Sequence, residues 1–218
     1  LDMDQLQAAV EDETILISIT TVNNETGTVM PVDQIAQLKK NALFHTDSVQ
    51  AYGKMKLKAG AADLMSLSAH KIHGPKGMGV LYVRKGVRIP AYLVGGGQER
   101  YMRSGTENVP GILGFGLAAR IASENLESRL DAMAEAKNYL LAGLQDQIEN
   151  LRINTPADSV PSVLNVSFLG TRGEVLLHTL EQDGIFVSTG SACSSNKKGR
   201  SHVLAAMGLS DKEIEGAV

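Results

Sequence analysis

Tryptophan is absent, aromatic residues make up 4% of the chain, and Cys193 is the single cysteine. So few aromatics leave no stacking platform for single-stranded nucleic acid. One cysteine excludes an intrachain disulfide and favours a reducing compartment. No apolar run approaches the roughly 18 residues that a membrane-spanning helix needs. A dominant sign of charge is also missing: 21 Lys and Arg stand against 24 Asp and Glu, for a formal net charge of −3. That balance gives no basis for a polyanionic partner such as nucleic acid. Residues 1–4 carry no basic stretch, so no secretory signal is expected and a cytoplasmic location is the default. Leu1 is not an initiator methionine, and residues 211–218 read as a helix start cut short, so further sequence is expected at both ends.

What is present is the composition of an ordinary globular protein, 43% hydrophobic and 21% charged over 218 residues, enough for one or two domains. Leu6, Ala9 and Val10 form a short helical stripe. The β-branched run 14–22 (TILISITTV) predicts a buried strand, followed by the polar loop Asn23-Asn24-Glu25-Thr26-Gly27. Val32, Ile35 and Leu38 repeat at helical spacing. Residues 43–47, 64–68 and 79–84 predict three more strands. Strand and helix in this alternation predict an α/β core with parallel strands, whose carboxyl ends are where ligands bind in open sheets. Residues 110–148 predict long helices with a break near Asn125. Residues 162–168 and 185–188 predict strands, 174–181 a helix stopped by Gly184, and 201–207 a last short helix. The expected organisation is a large α/β domain over 1–115, then connecting helices and a smaller α+β domain over 116–218.

Three places carry candidate chemistry. Lys71 follows an apolar strand in SLSAHKIHGPKG, beside Ser68 and His70. A loop lysine is ordinarily a solvated surface group. Partly desolvated, it is the residue type that attacks an aldehyde, because burial favours the neutral amine. The glycines after it do not satisfy the phosphate-loop pattern GxxxxGK[ST]. A zinc set of His70, His73 and Cys193 lacks a CxxC pair and a fourth ligand, so no metal is expected. Asp47, in HTDSVQ, ends a strand; alone it is a helix cap, and beside a cofactor ring it is a partner for a protonated pyridine nitrogen. Cys193 lies among Gly190, Ser191, Ala192, Ser194, Ser195 and Asn196, ahead of Lys197, Lys198 and Arg200. A lone cysteine is commonly a small buried hydrophobe. Small neighbours and nearby cations instead favour a reactive thiolate.

SxHKxxGPKGxGxLY, with HxDxxQ upstream, GSACSS downstream and GGGQERYMRSGTENVPGILGFG between them, resembles the cysteine desulfurases of the class V aminotransferase group. The likeness runs along essentially the whole chain. It implies the fold type I of pyridoxal-phosphate-dependent transferases, with a mostly parallel sheet in the large domain and a smaller α+β domain. It implies pyridoxal 5'-phosphate as cofactor, with Lys71 as its Schiff-base lysine. On the same pattern Asp47 pairs with the pyridine nitrogen and Gln50 with the ring's phenolic oxygen. Asn24 lies near that oxygen and the substrate carboxylate. Ser68 and His70 hold the phosphate, Thr106 reaches the phosphate of a neighbouring subunit, and Cys193 accepts sulfur. The interval from Cys193 to Val203 resembles the subgroup with a long mobile cysteine loop. The implied reaction turns L-cysteine into L-alanine and leaves a persulfide for a sulfur-acceptor protein, such as an iron–sulfur scaffold; the implied assembly is a homodimer. The family also has segments before Leu1 and after Val218 that complete the cofactor and substrate sites. Two other readings stay open at this point. One is a selenocysteine lyase or other class V aminotransferase; the other is a non-catalytic binding or scaffold remnant.

Overall fold

The computed structural model describes residues 1–190 and 200–218. The chain divides into two compact units, Leu1–Thr21 with Met30–Leu126, and Val22–Val29 with Glu127–Val218.

In the first unit, Asp2 caps α1 (Met3–Ala9) by accepting from the Gln5 amide. Then come β1 (Leu16–Thr20), α2 (Val32–Gln37), β2 (Leu43–Asp47), β3 (Leu64–Ser68), β4 (Gly79–Val83) and α3 (Val109–Glu124). The strands lie in the order β1-β2-β3-β4; β1, β2 and β3 are parallel, and β4 is antiparallel to β3. The sheet is therefore mostly parallel, as expected, with β4 antiparallel at its edge. Residues 69–78 alone join β3 to β4, and a parallel crossover needs a dozen or more residues. Ile17 and Phe44 pack with Val10, Ile35 and Ala36, and Leu6, Ile19 and Val32 close over them. Full burial of an Ile or Phe side chain contributes about 1.5–3 kcal/mol. Ile35 and Phe44 reach 0% exposure, so this cluster anchors α1 and α2 to the sheet. A second cluster of Ala69, Ile72, Phe115, Ala118 and Ala122 seats α3, with Tyr52 edge-on to Phe115 at 6.4 Å between ring centres.

Asp63 locks the amino edge of this sheet. Its fully buried carboxylate accepts from Lys39 Nζ at 2.6 Å, the Phe44 amide at 2.8 Å and Arg84 Nε at 2.8 Å, with Arg84 Nη2 also in contact. Burial pushes this carboxyl up, but the hydrogen bonds from Lys39, Phe44 and Arg84 outweigh it and hold it below the ordinary carboxylate range. One side chain thereby ties the chain before β2, the start of β2 and the end of β4 to the start of β3.

The second unit holds α4 (Leu126–Gln147), the antiparallel pair β5 (Leu151–Ile153) and β6 (Val166–Phe168), and α5 (Gly173–Gln182), α6 (His202–Ala206) and α7 (Asp211–Glu215). α3 ends where expected, because the Asn125 backbone N–H and side-chain amide both turn back onto Ile121 O. The strand expected at 185–188 does not form. Gly184, at φ +75°, stops α5, and the run that follows pairs with no strand among the described residues, leaving Phe186 80% exposed. A β-branched run without a neighbour to fill its ladder has nothing to fix it as a strand. Ser210 and Glu213 form a capping box at α7. Hydrogen bonds from Ser210, reinforced by Arg152, lower the Glu213 carboxyl to about 2. Among the described residues no helix is long and apolar enough to cross a membrane.

Candidate active site

Because β1, β2 and β3 are parallel, their last residues, Thr20, Asp47 and Ser68, share one edge of the sheet. The ladder continues past the strand ends: the Thr21 amide donates to Asp47 O at 2.8 Å, and the Ser48 amide to Ser66 O at 3.0 Å. Beneath this rim Thr21 Oγ1 bonds Thr46 Oγ1 at 2.7 Å and Ser48 Oγ at 2.6 Å, all three residues being buried. A buried and satisfied hydroxyl chain fixes the rim, since breaking it strands a desolvated polar group.

Asp47 is exposed on that rim. Its Oδ1 accepts from the Val49 amide at 2.9 Å, which orients the carboxylate, and Oδ2 keeps no partner among the described residues. The chain then turns through residues 48–55, with the Ala51 and Tyr52 amides donating to Ser48 O. Gln50 is half-buried in this turn, and its Oε1 accepts from Lys54 Nζ at 2.9 Å. Gly53, at φ +72°, lies so close to Ile72 that an added Cβ would stand 2.8 Å from Ile72 Cγ2. This close approach seats the turn after β2 against the turn after β3.

That second turn is a 3₁₀ helix, Ala69–Ile72, ended by His73 in the left-handed region at φ 66°. The Gly74 amide donates to Ala69 O at 2.9 Å and the Ala69 amide to Met78 O at 3.0 Å, which closes the turn on itself. Ala69 and Ile72 point into the core and Lys71, between them, stays half-buried. Ser68 Oγ bonds His70 Nδ1 at 2.7 Å. The structure therefore brings Asp47, Gln50, Ser68, His70 and Lys71 to one sheet edge, on two turns in contact.

The other named positions stand on other segments of the chain. Thr106 is exposed on the loop before α3. Asn24 belongs to the second unit, exposed at the tip of a turn that Asn23 Oδ1 holds by accepting from the Glu25 and Thr26 amides at 2.9 Å. Cys193 and its loop lie outside the described residues. Two residues that the sequence reading passed over belong with the edge. His45 bridges Ser18 Oγ and Ser66 Oγ, at 2.7 and 2.8 Å, on the sheet face that carries Asp47. Lys54 holds Gln50; its i,i+4 spacing from Gln50 is the sequence signal that could have found it.

A model of the aminotransferase class-V family matches residues 1–210. A protein named cysteine desulfurase IscS, from Clostridium botulinum (strain Hall), is 42% identical, the alignment covering 100% of this chain and 57% of that protein. A solved structure described as a NifS-like protein superimposes with a TM-score of 0.90 at 40% identity, covering 100% of this chain and 58% of the other. Another, described as SspA in complex with cysteine, does so with a TM-score of 0.80 at 30% identity, covering 100% and 61%. The chain thus spans a little over half the length of the curated relatives it matches. With the family match running through all but its last eight residues, and with a lysine turn and a carboxylate at the carboxyl edge of a mostly parallel sheet, the chain belongs to the class V aminotransferase family of pyridoxal-phosphate-dependent proteins.

Proposed function

We propose that the complete protein is a cysteine desulfurase. L-cysteine and the Cys193 thiol give L-alanine and a Cys193 persulfide, which passes its sulfur to an acceptor such as an iron–sulfur scaffold protein. The observation that carries this reading is the gathering of Asp47, Gln50, Ser68, His70 and Lys71 at one sheet edge. The relative of 42% identity and that name supports it.

The donor set at this edge fits pyridoxal phosphate. Asp47 offers an anionic acceptor, Oδ2, to a protonated ring nitrogen. Gln50 has its amide oxygen engaged, so its NH₂ remains to donate to a phenolic oxygen. Ser68 Oγ and His70 Nδ1 share one hydrogen between them, which leaves the pair a further polar hydrogen for a phosphate. Lys71 is half-buried, the setting in which an amine nucleophile is useful. When bound, the cofactor supplies an electrophilic aldehyde and a ring that withdraws electrons from the substrate Cα.

The residues have separate tasks. Asp47 keeps the ring nitrogen protonated. Lys71 Nζ would hold the substrate Cα proton and move it. The Cys193 thiolate attacks the substrate sulfur. The substrate C–S bond and the Cys193 S–H bond are replaced by an S–S and a C–H bond, so no outside oxidant or reductant is needed. Asn24 and Thr106 enter on the family pattern alone; Thr106 is assigned to the phosphate of a second copy, which makes the assembly a homodimer. A cytoplasmic location suits a free thiol at Cys193.

Two variants of the full-length protein test the reading. Lys71→Ala is expected to remove the visible absorption of the bound cofactor. Cys193→Ser is expected to keep that absorption and lose sulfur release, with labelled cysteine marking the Cys193 peptide only in the wild type. Wild-type desulfuration by Cys193→Ser would sink the reading.

A further inference from the structure

Lys54 is a cation without a counter-ion: it is half-buried, and no carboxylate pairs with it among the described residues. Most lysines keep their ammonium in water or pair it. Burial pushes the Lys54 ammonium below its ordinary range, and the nearby charge of Lys71 acts in the same direction. Among the described residues Nζ donates to Gln50 Oε1, at 2.9 Å. Lysine has three N–H donors and no acceptor, so the end of the Gln50 amide that faces it must be the oxygen. A flipped amide would set NH₂ against NH₃⁺. The amide NH₂ is therefore committed to the other side.

The backbone fixes both partners. The Lys54 amide donates to Ala51 O at 3.0 Å, Ala51 is fully buried, and Gly53 sits against Ile72 on the turn that carries Lys71. The other ionisable groups on these turns and at this rim are Asp47, Tyr52, His70, Lys71, His73 and Lys76.

We propose that Lys54 is a positioning residue of the cofactor site: it sets the Gln50 amide so that its NH₂ donates to the ring's phenolic oxygen, and its charge favours the anionic form of that oxygen. This rests on the reading of the edge as a pyridoxal phosphate site and adds to it a residue that need not touch the cofactor. Lys54 makes Gln50 a donor only; without it the amide is free to present either end.

The test is a pH titration of the visible band of full-length holoenzyme, wild type, Lys54→Met and Lys54→Arg. Removing the cation and freeing the amide both make the anionic oxygen harder to sustain and ease protonation nearby. The midpoint of the band in Lys54→Met is expected to rise by about one unit, and the protein's affinity for added pyridoxal phosphate to fall by about tenfold. Arginine also only donates, so Lys54→Arg is expected to return the midpoint most of the way. A midpoint unmoved in Lys54→Met, with the band intact, overturns the proposal and leaves the cofactor site standing. Loss of the band in both variants, with the fold melting early, makes Lys54 a structural support and overturns it as well. A wild-type protein that never acquires the band, with the cofactor in excess, refutes the cofactor site and the proposal together.

Discussion

Asp47 and Asp63 sit at opposite edges of the same sheet and are used in opposite ways. Asp63, just before β3, is fully buried and surrounded by donors from Lys39, Phe44 and Arg84. Asp47, at the end of β2, is exposed, with one oxygen held by the Val49 amide and the other open. A carboxylate whose lone pairs are all spent inside the protein can do nothing but hold the fold. One that is oriented through a single oxygen can act on a ligand with the other. The amino edge of this sheet is its fastening and the carboxyl edge its proposed working side, as the direction of parallel strands leads one to expect.

The sharpest way to break the comparison is to strip each carboxylate in turn. Asp63→Ala leaves four donor groups from three residues facing an empty site. Lys39 and Arg84 are partly exposed and regain some hydration, so a loss of about 3 kcal/mol in urea unfolding is expected, at the low end for a broken buried pair. Asp47→Ala is expected to cost no more than about 1 kcal/mol, the scale of one lost side-chain cap, while lowering the turnover of the full-length protein about 100-fold. Equal destabilisation by the two would erase the distinction.

Gly53 tests whether the two turns of the working edge are set against each other by contact. Gly53→Ala must hold a positive φ and crowd Ile72, at about 1–2 kcal/mol. Its expected mark is weaker cofactor binding together with a lower Tm. A lower Tm with unchanged binding would mean that the lysine turn is placed without its neighbour.

Acid separates the edges more gently. Asp63 has a depressed carboxyl, so its contribution is complete above the ordinary carboxylate range and is lost as pH falls toward the folded value. Asp63→Asn should flatten the fall of Tm below about pH 4. In the second unit Glu213, lowered to about 2, is expected to shed its contribution between its ordinary 4.5 and 2, and Glu213→Gln should remove that part of the slope. An acid limb identical in wild type and both variants would show that these carboxylates do not set it.

Much of this was legible in the residues. The strands at 43–47 and 64–68 follow from short apolar runs that end in polar residues, and the helix break at Asn125 from a strong punctuating residue. The direction of β4 was not: an apolar run marks a strand, and only the length of its connection says which way it must run. The run 185–188 has strand residues and no partner, a fact that resides in the rest of the fold. At the site, Asp47, Gln50 and Lys71 stand in motifs. The Asp63 fastening does not, because its donors come from three separated stretches. Lys54 was within reach by spacing alone, but nothing in spacing says that its oxygen-bearing partner has only one way to face.

The hairpin that reverses β4 bears on the order in which the molecule assembles. β3 and β4 meet across residues 69–78, whereas β1 and β2 must first close the longer stretch 21–42. Loop-closure entropy favours the nearer contact, so this hairpin is expected to be native-like in the folding transition state while the parallel pairing is still incomplete. Substitutions such as Leu67→Ala should then slow refolding, and Ile17→Ala should chiefly speed unfolding. Lys71 lies inside the hairpin's own connection, so the proposed Schiff-base lysine is placed by the most local pairing in the sheet.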